Sequence, residues 1–200
     1  MQVEQYVMAY QVEQDRLRAM LPEGYESLRG VLRINAERRT HADGRESYAL
    51  EFNTPVSGFG RRGWLNIAHW VFPGIPIQVT EEEGNTVFAT PFLAISFTPT
   101  GAVGGCPAEP DNEGCFYRDG FRPAEVITAP REFCRCAFRW CFTAADGRGI
   151  FKGDRTLPAA PSAPPRTSYA PRPLMATVAA AIPCEQVLGA YRVRFERDGD

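Results

Sequence analysis

The sequence predicts a mainly β protein, an antiparallel barrel or sandwich with two or three short helices. Apolar and polar residues alternate with a period of two over about eight to ten short segments, which is the pattern of half-buried strands. Turn signals such as Asp43-Gly44 and Asp146-Gly147 separate several of these segments. Helical spacing appears only briefly, so we expect a single domain over residues 1–200 with the sheet as its main element.

The predicted strands follow one another along the chain. Residues 64–72 are nearly apolar on both faces, which is typical of a strand buried on both sides in mid-sheet. Residues 87–97 form a strong strand in which Pro91 predicts an edge position or a bulge, because proline cannot donate to a ladder. In chain order, the predicted strands are 3–12, 31–39, 47–54, 64–72, 77–80, 87–97, 132–143, 149–152, 174–181 and 190–196.

Two short helices are predicted between these strands. Residues 13–21 change to helical spacing, and Pro22 and Gly24 end that helix. Residues 183–188 suit one helical turn, because proline is favoured at the first position of a helix and Gly189 follows it. Neither segment is long enough to change the mainly β prediction.

A long loop is predicted at residues 98–120. Its glycines and prolines are too dense for regular structure, and a loop of this length in a compact domain is usually functional or disordered. Phe116 and Tyr117 argue against disorder, so we expect a lid over a binding site. A second irregular stretch, the proline-rich residues 155–173, is expected to run extended.

The composition argues against several classes of function. A net charge of -2 and a pI of 5.8 leave no basic footprint for nucleic acid or for an anionic membrane. No segment approaches the roughly 20 apolar residues of a membrane-spanning helix, and the alternating start does not fit a signal peptide. We therefore expect a cytoplasmic protein with reduced cysteines, no cofactor, and no nucleic-acid or membrane partner.

The two ends of the chain resemble one known family. Residues 14–26 read Gln-Asp-Arg-Leu-Arg-Ala-Met-Leu-Pro-Glu-Gly-Tyr-Glu, and residues 183–195 contain a Leu-Gly-Ala-Tyr step into the last strand. Both features are similar to those of the acetoacetate decarboxylase-like β-barrels, where a short helix ends in Leu/Val-Pro-Glu before the first barrel strands. The resemblance implies a closed antiparallel barrel with an internal polar pocket for a small carboxylate.

The chain departs from this family at its catalytic step. The decarboxylases form a Schiff base through a lysine in a Pro-Lys-Lys step, which this sequence lacks. The nearest match, residues 120–123, offers Arg122, which cannot form the imine but is a candidate for binding a carboxylate. Lys152 is the only lysine, and we expect it to be solvated, with an activated nucleophile as the alternative. The resemblance thus implies a lyase-like protein without the usual lysine.

Polar residues that alternate with apolar ones are candidates for a ligand pocket. If the strands pair in chain order, the residues that share one face are Arg33, Asn35, Glu37, Glu51, Asn53 and Asn66, with Arg135 and Arg139 as further candidates. An arginine binds a carboxylate in bidentate fashion, and Glu51 would act as an acid or base. The alternative is a solvated outer face, which is the ordinary reason for alternation. Asn66 differs, because its strand is otherwise apolar and a buried amide needs a partner.

Histidine and cysteine give further candidates. His69 lies in an apolar strand, where it is either a hydrogen-bonded core residue or a pocket acid or base. Cys106 and Cys115 lie in one loop and are candidates for a thiol or zinc site, although the Cys-x-x-Cys spacing is absent. Cys115 is also a candidate nucleophile, although neighbouring carboxylates disfavour its thiolate. The cysteines of residues 132–143 are expected to be small core residues.

Three hypotheses about function follow from these observations. The leading one is a β-barrel that binds a small organic acid, and it includes a lyase-like enzyme of unassigned reaction. The alternative is a non-catalytic ligand carrier or a homo-oligomeric structural protein. The third is a thiol or zinc protein that uses Cys106 and Cys115.

Overall fold

The computed structural model shows a mainly β chain. It describes residues 1–72, 76–91, 93–104, 127–140 and 178–198, together with the backbone of residues 115–117 and 121–123. The strands are β1 Gln2–Gln11, β2 Tyr25–Ser27, β3 Val31–Thr40, β4 Glu46–Gly58, β5 Arg61–Val71, β6 Gln78–Glu82, β7 Asn85–Ala89, β8 Leu93–Gly104, β9 Cys115–Tyr117, β10 Phe121–Pro123, β11 Arg131–Trp140 and β12 Gln186–Glu196. The helix α1 Gln14–Met20 follows β1, and residues 178–180 form a helical turn before β12. In these ranges, no helix has the length and apolar composition needed to cross a membrane.

All these strands belong to one sheet. Its hydrogen-bonded order is β10-β9-β5-β4-β3-β1-β12-β11-β8-β7-β6, with β2 paired to β4 outside this path. Neighbouring strands in this order run antiparallel except β5 and β9, which are parallel. The last strand of the chain lies beside the first, so both ends of the chain are in mid-sheet. The predicted mainly antiparallel sheet is confirmed.

The sheet curls until strands that are far apart in its order touch. Phe52 of β4 and Trp140 of β11 have ring centroids 5.2 Å apart. Four strand steps separate them, which would span about 19 Å in a flat sheet at roughly 4.8 Å per step. Arg38 of β3 likewise donates to Glu81 of β6 at 2.6 Å, across a still longer path. No ladder joins the two ends of the path among the described strands, so the predicted closed barrel is not confirmed.

The inner face of this curl is filled by apolar side chains. Tyr6 of β1 contacts the rings of Phe88 and Phe97, with centroids 5.4 Å and 5.0 Å away. Leu17, which is fully buried, packs α1 against the same core. Apolar residues alternate along the predicted strands because every second side chain is buried in this apolar layer. The largest fully buried side chains are Trp64, Tyr6, Tyr10, Phe52, Phe88, Phe97, Met8, Leu17, Leu32, Ile34 and Leu50.

The second face of β1, β3, β4 and β5 is buried as well. Val3 and Val7 of β1 are only 2% and 3% exposed, although they alternate with the core residues. The polar residues on this face are also covered, and the buried ones are Asn35, Glu37, Asn53 and Asn66. The interpretation of Asn35, Glu37 and Asn53 as part of a solvated outer face is therefore wrong, whereas the sequence predicts that Asn66 is buried. Burial on both faces means that each polar group here needs a specific partner.

The predicted loop at residues 98–120 begins later than expected. β8 continues to Gly104, so the first part of that range is strand. Proline and glycine fit there because the register against β11 shifts between Glu132 and Cys134, and Gly101 adopts a φ of 77°. The backbone of residues 115–117 and 121–123 is also strand. The remainder of the predicted loop and the proline-rich residues 155–173 lie outside the described residues.

The predicted order of strand and helix near the C-terminus is wrong. The helical turn lies at residues 178–180, inside the predicted strand 174–181, and β12 begins inside the predicted helix 183–188. Alanine is the best helix former, and Ala179 is buried in the core, which favours a helical turn there. The turn ends before Pro183, because proline disfavours helical backbone in the preceding residue.

Candidate ligand-binding site

Six polar residues form two rows across β3, β4 and β5 on the second face of the sheet. The rows, read from β3 to β5, are Arg33, Asn53 and Asn66, and Asn35, Glu51 and His69. Successive residues on one face of a strand lie about 7 Å apart, and neighbouring strands lie about 5 Å apart. These six residues, called the polar grid below, therefore cover roughly 10 by 7 Å. That area matches a small organic molecule.

A β-bulge in β5 brings Asn66 and His69 onto the same face. The register of β5 against β4 shifts between Phe52 and Asn53, which leaves Ile67 as an extra residue. Without the bulge, positions 66 and 69 would point to opposite faces, because strand side chains alternate. Ile67 instead joins the apolar core. The bulge thus adds a histidine to a face that already carries three asparagines.

The centre of the grid is a pair of fully buried amides. Asn66 donates through Nδ2 to Asn53 Oδ1 at 2.8 Å and to the carbonyl oxygen of Ala68 at 3.1 Å. Neither asparagine side chain is exposed to solvent. The second of these bonds spans the bulge, so Asn66 also stabilises the local backbone. The prediction that Asn66 needs a specific partner is confirmed by this pairing.

A cation lies beside the amide pair. The guanidinium carbon of Arg33 sits 3.7 Å from the centroid of the Trp64 ring, which is a cation–π distance. Trp64 is itself 2% exposed, so its ring forms a fixed surface under the guanidinium. An arginine held flat in this way keeps its planar fork of donors in one orientation. Trp64 was absent from the sequence-based candidates, although it shares the two-residue period of Asn66 on β5.

The second row contains an acid and a base. His69 Nε2 and Glu51 Oε1 are 3.6 Å apart, which is too long for a direct hydrogen bond and short enough for electrostatic interaction. Their side chains are 10% and 21% exposed, respectively, so the pair is mostly shielded from solvent. Asn35, at 7% exposure, completes the row on β3. A pair of this kind can move a proton on a bound molecule.

Several buried polar atoms of this face lack a hydrogen bond within the described part of the chain. They are Asn35 Oδ1, Asn53 Nδ2, Asn66 Oδ1 and Trp64 Nε1. Buried polar groups in folded proteins are nearly always satisfied by protein, by ordered water or by a ligand. Four such atoms on adjacent strands therefore indicate a place for a polar molecule rather than for apolar packing.

Glu37 lies on the same face, but its carboxylate already accepts several hydrogen bonds from protein side chains. Its carboxylate accepts from Arg197 at 2.9 Å and 3.0 Å, from Arg39 at 2.7 Å, and from Gln5 at 2.8 Å. Burial alone would raise the pKa of Glu37, but the hydrogen bonds and charges of the two arginines lower it to about 2. This carboxylate ties β1 and β3 to the C-terminal residues, so we assign it a structural role.

The thiols of Cys134 and Cys136 on β11 face the apolar core. Burial raises the pKa of Cys134 to about 11 and that of Cys136 to about 12. Both side chains are partly buried and pack against the core, as predicted for small core residues. In the described ranges, no group of three or more histidine, cysteine, aspartate or glutamate side chains is arranged to hold a metal ion.

Two further candidates from the sequence, Arg135 and Arg139, lie outside the polar grid. Arg135 and Arg139 are exposed on β11, so the expectation that they join the polar face is wrong. They are separated from β3 by β1 and β12 in the sheet order. The candidates Lys152 and Cys106 lie outside the described residues, and Cys115 and Arg122 are described as backbone only. The backbone of β9 pairs with β5 at Trp64, which brings that segment next to the grid.

Comparison with known proteins identifies the fold but not a sequence relative. No family model matches the sequence, and no curated protein matches it. The enduracididine biosynthesis enzyme MppR, in complex with pyruvate, superposes with a TM-score of 0.59 at 13% identity, covering 96% of this chain and 84% of that chain. Acetoacetate decarboxylase from Legionella pneumophila gives a TM-score of 0.54 at 12% identity, covering 97% and 81%. A further acetoacetate decarboxylase structure gives 0.57 at 10% identity, covering 96% and 82%.

These matches cover almost the whole chain. The resemblance predicted from the two ends of the sequence is therefore confirmed at the level of the fold. At identities of 10% to 13%, the likeness extends to architecture and not to the identity of individual site residues.

Proposed function

We propose that the polar grid binds a small organic acid. The observation that carries the proposal is a group of buried polar atoms that have no hydrogen-bond partner within the described residues, beside an arginine that is held on a tryptophan ring. A guanidinium binds a carboxylate through two parallel hydrogen bonds, and burial strengthens that interaction. The structure of MppR, which has a similar fold, contains pyruvate, and this supports a small monocarboxylate as the ligand.

Each part of the grid has a role in this proposal. Arg33 binds the carboxylate, and Trp64 keeps the guanidinium in place. The amide pair fixes the rest of the ligand on the β5 side. Glu51 and His69 lie on the next row, where they transfer a proton to or from the bound molecule. The proposed reaction class is therefore proton transfer next to a carbonyl group, as in lyase-like chemistry.

This proposal does not depend on a Schiff base. Lys152 is the only lysine of the sequence and lies outside the described residues, so its predicted alternative role as a nucleophile stays a prediction. We also keep as proposals the closed barrel, the lid formed by the loop at 98–120, and the homo-oligomer.

Binding and chemistry are tested together with pyruvate as the probe. We expect calorimetry to show binding, and Arg33→Lys to weaken it roughly tenfold because lysine cannot reproduce the bidentate fork. Arg61→Lys, on the exposed start of β5, is the matched control and should bind as the wild type does. Unchanged affinity of Arg33→Lys would contradict the assignment of the carboxylate site.

The same samples separate an enzyme from a carrier. If Glu51 acts as a base, the protein should accelerate exchange of the pyruvate methyl protons with D₂O, observed by NMR, and Glu51→Gln should abolish the acceleration. Pyruvate binding without accelerated exchange would favour the non-catalytic carrier. The thiol hypothesis concerns Cys106 and Cys115, whose side chains lie outside the described part of the chain, so it stays a prediction.

A further inference from the structure

We infer that the buried amide pair selects acids that carry a carboxamide next to the carboxylate. This inference rests on the proposed function, because it assigns the chemical class of the molecule that the polar grid binds. The pair consists of Asn53 and Asn66, which face each other on β4 and β5. The feature that carries the inference is the fixed direction of both amides.

The direction of the two amides follows from their partners. A backbone carbonyl oxygen only accepts hydrogen bonds, so the Asn66 atom that lies 3.1 Å from the oxygen of Ala68 must be the nitrogen. The same nitrogen lies 2.8 Å from the Asn53 side chain, so the Asn53 atom at that contact must be the oxygen. Neither amide can flip without losing one of these bonds.

The fixed direction leaves one donor and one acceptor in neighbouring positions. The donor is Asn53 Nδ2 and the acceptor is Asn66 Oδ1, and neither has a hydrogen-bond partner within the described residues. A second carboxylate would place a negative oxygen against Asn66 Oδ1. An ammonium group would place donors against Asn53 Nδ2. A carboxamide satisfies both atoms, because its oxygen accepts from Asn53 while its nitrogen donates to Asn66.

The ladder places this pair next to the arginine. Asn53 is the direct cross-strand partner of Arg33, and the Arg33 guanidinium lies over Trp64, which is the neighbour of Asn66 on the same face of β5. A carboxylate on the guanidinium and a carboxamide on the amide pair are therefore adjacent in the ligand. The shortest molecule of this kind is oxamate, which has the carboxylate and carbonyl of pyruvate with an amide nitrogen in place of the methyl group.

Oxamate and pyruvate form a matched pair of probes. Both are monoanions with the same number of heavy atoms, and they differ only in the group that faces Asn66 Oδ1. Pyruvate leaves that oxygen buried beside a methyl group, and sites built to hydrogen-bond a polar group discriminate against analogues that lack it. We expect oxamate to bind the wild-type protein at least tenfold more tightly than pyruvate in calorimetry.

Two variants assign the preference to its atoms. Asn66→Leu removes the acceptor, so oxamate and pyruvate should then bind with equal affinity. Asn53→Leu removes the donor that both ligands share through their carbonyl groups, so both should weaken while their ratio is kept. Asn85→Leu, at the start of β7 and away from the grid, should leave both affinities and their ratio unchanged.

The outcomes distinguish this inference from the proposal beneath it. Pyruvate binding as tightly as oxamate would overturn the carboxamide preference and leave the organic-acid site standing. Binding of neither probe to the wild-type protein would overturn both, and would mean that buried water satisfies the amides. Circular dichroism checks that each variant is folded, and the wild-type ratio alone decides the inference if Asn66→Leu does not fold.

Discussion

Replacing Glu37 with glutamine removes the negative charge that joins three parts of the sheet. Its carboxylate accepts hydrogen bonds from Gln5 of β1, from Arg39 of β3 and from Arg197 beyond β12. Its side chain is only 9% exposed, so solvent screens these interactions weakly. Glutamine keeps the shape of the group but presents an amide nitrogen to one of the guanidinium groups. Two arginines would then face a neutral group in a buried position.

The magnitude follows from the shifted pKa. The pKa of Glu37 falls from 4.5 to about 2 in the folded chain, because the two arginines outweigh the effect of burial. A shift of this size corresponds to about 3 kcal/mol of folding free energy, at roughly 1.4 kcal/mol per pH unit. Because the folded pKa is the lower one, this contribution is fully present above about pH 4.5. It is lost as the pH falls towards 2, where the folded state takes up the proton as well.

Urea unfolding of both proteins across pH tests this reasoning. At pH 7 we expect Glu37→Gln to lower the free energy of unfolding by about 3 kcal/mol or more, since breaking a buried ion pair leaves the partner charges uncompensated. The difference should shrink steadily between pH 4.5 and pH 2.5. Glu196→Gln, on the exposed end of β12, should cost less than about 0.5 kcal/mol at either pH. A difference that stays constant with pH would refute the assignment of the effect to the Glu37 charge.

Two further predictions concern the thiols and one turn. With pKa values of about 11 and 12, Cys134 and Cys136 are almost entirely protonated at pH 8, and both are partly buried. Burial raises the pKa of Cys184 as well, but this thiol is exposed, so a short pulse of iodoacetamide should label it much faster in a peptide map. Equal labelling would show that β11 opens readily. Glu83 adopts a φ of 49° in the turn between β6 and β7, directly before Gly84. Asparagine is favoured at such a position, so Glu83→Asn should raise the free energy of unfolding by roughly 0.5 kcal/mol. The control Glu82→Asn, at the preceding strand residue, should not raise it. A destabilised Glu83→Asn protein would contradict the turn geometry.

Much of the polar grid could be predicted because most strands obey strict alternation. Arg33 and Asn35 share one parity on β3, and Glu51 and Asn53 share one parity on β4, so pairing the two strands in chain order brings all four together. The sequence could not separate a ligand pocket from a solvated face. That choice depends on what covers the second face, and alternation looks the same in both cases.

The position of His69 could not be predicted from alternation. A strict two-residue period places His69 and Asn66 on opposite faces of β5, and the extra residue Ile67 brings them onto the same face. Bulges carry no dependable sequence signal in an apolar strand, so this placement required the structure. The curl of the sheet is similar, because the contact between Phe52 and Trp140 depends on twist summed over several strands. The late start of the loop predicted at 98–120 also depends on a bulge, because the bulge accommodates proline and glycine within β8.

The charged residues on the second face of the sheet indicate which ligand charge the site favours. Glu37 is held by two guanidinium groups, those of Arg39 and Arg197, although one would neutralise it. Arg33 and Glu51 add one charge of each sign. These three arginines and two glutamates carry one net positive charge between them, in a chain whose net charge is -2. A positive balance among these residues favours an anion over a neutral molecule. Oxalate, which matches oxamate in shape, would place a second negatively charged oxygen against Asn66 Oδ1. We therefore expect oxalate to bind more weakly than oxamate, and tighter binding of oxalate would contradict the assignment of this acceptor.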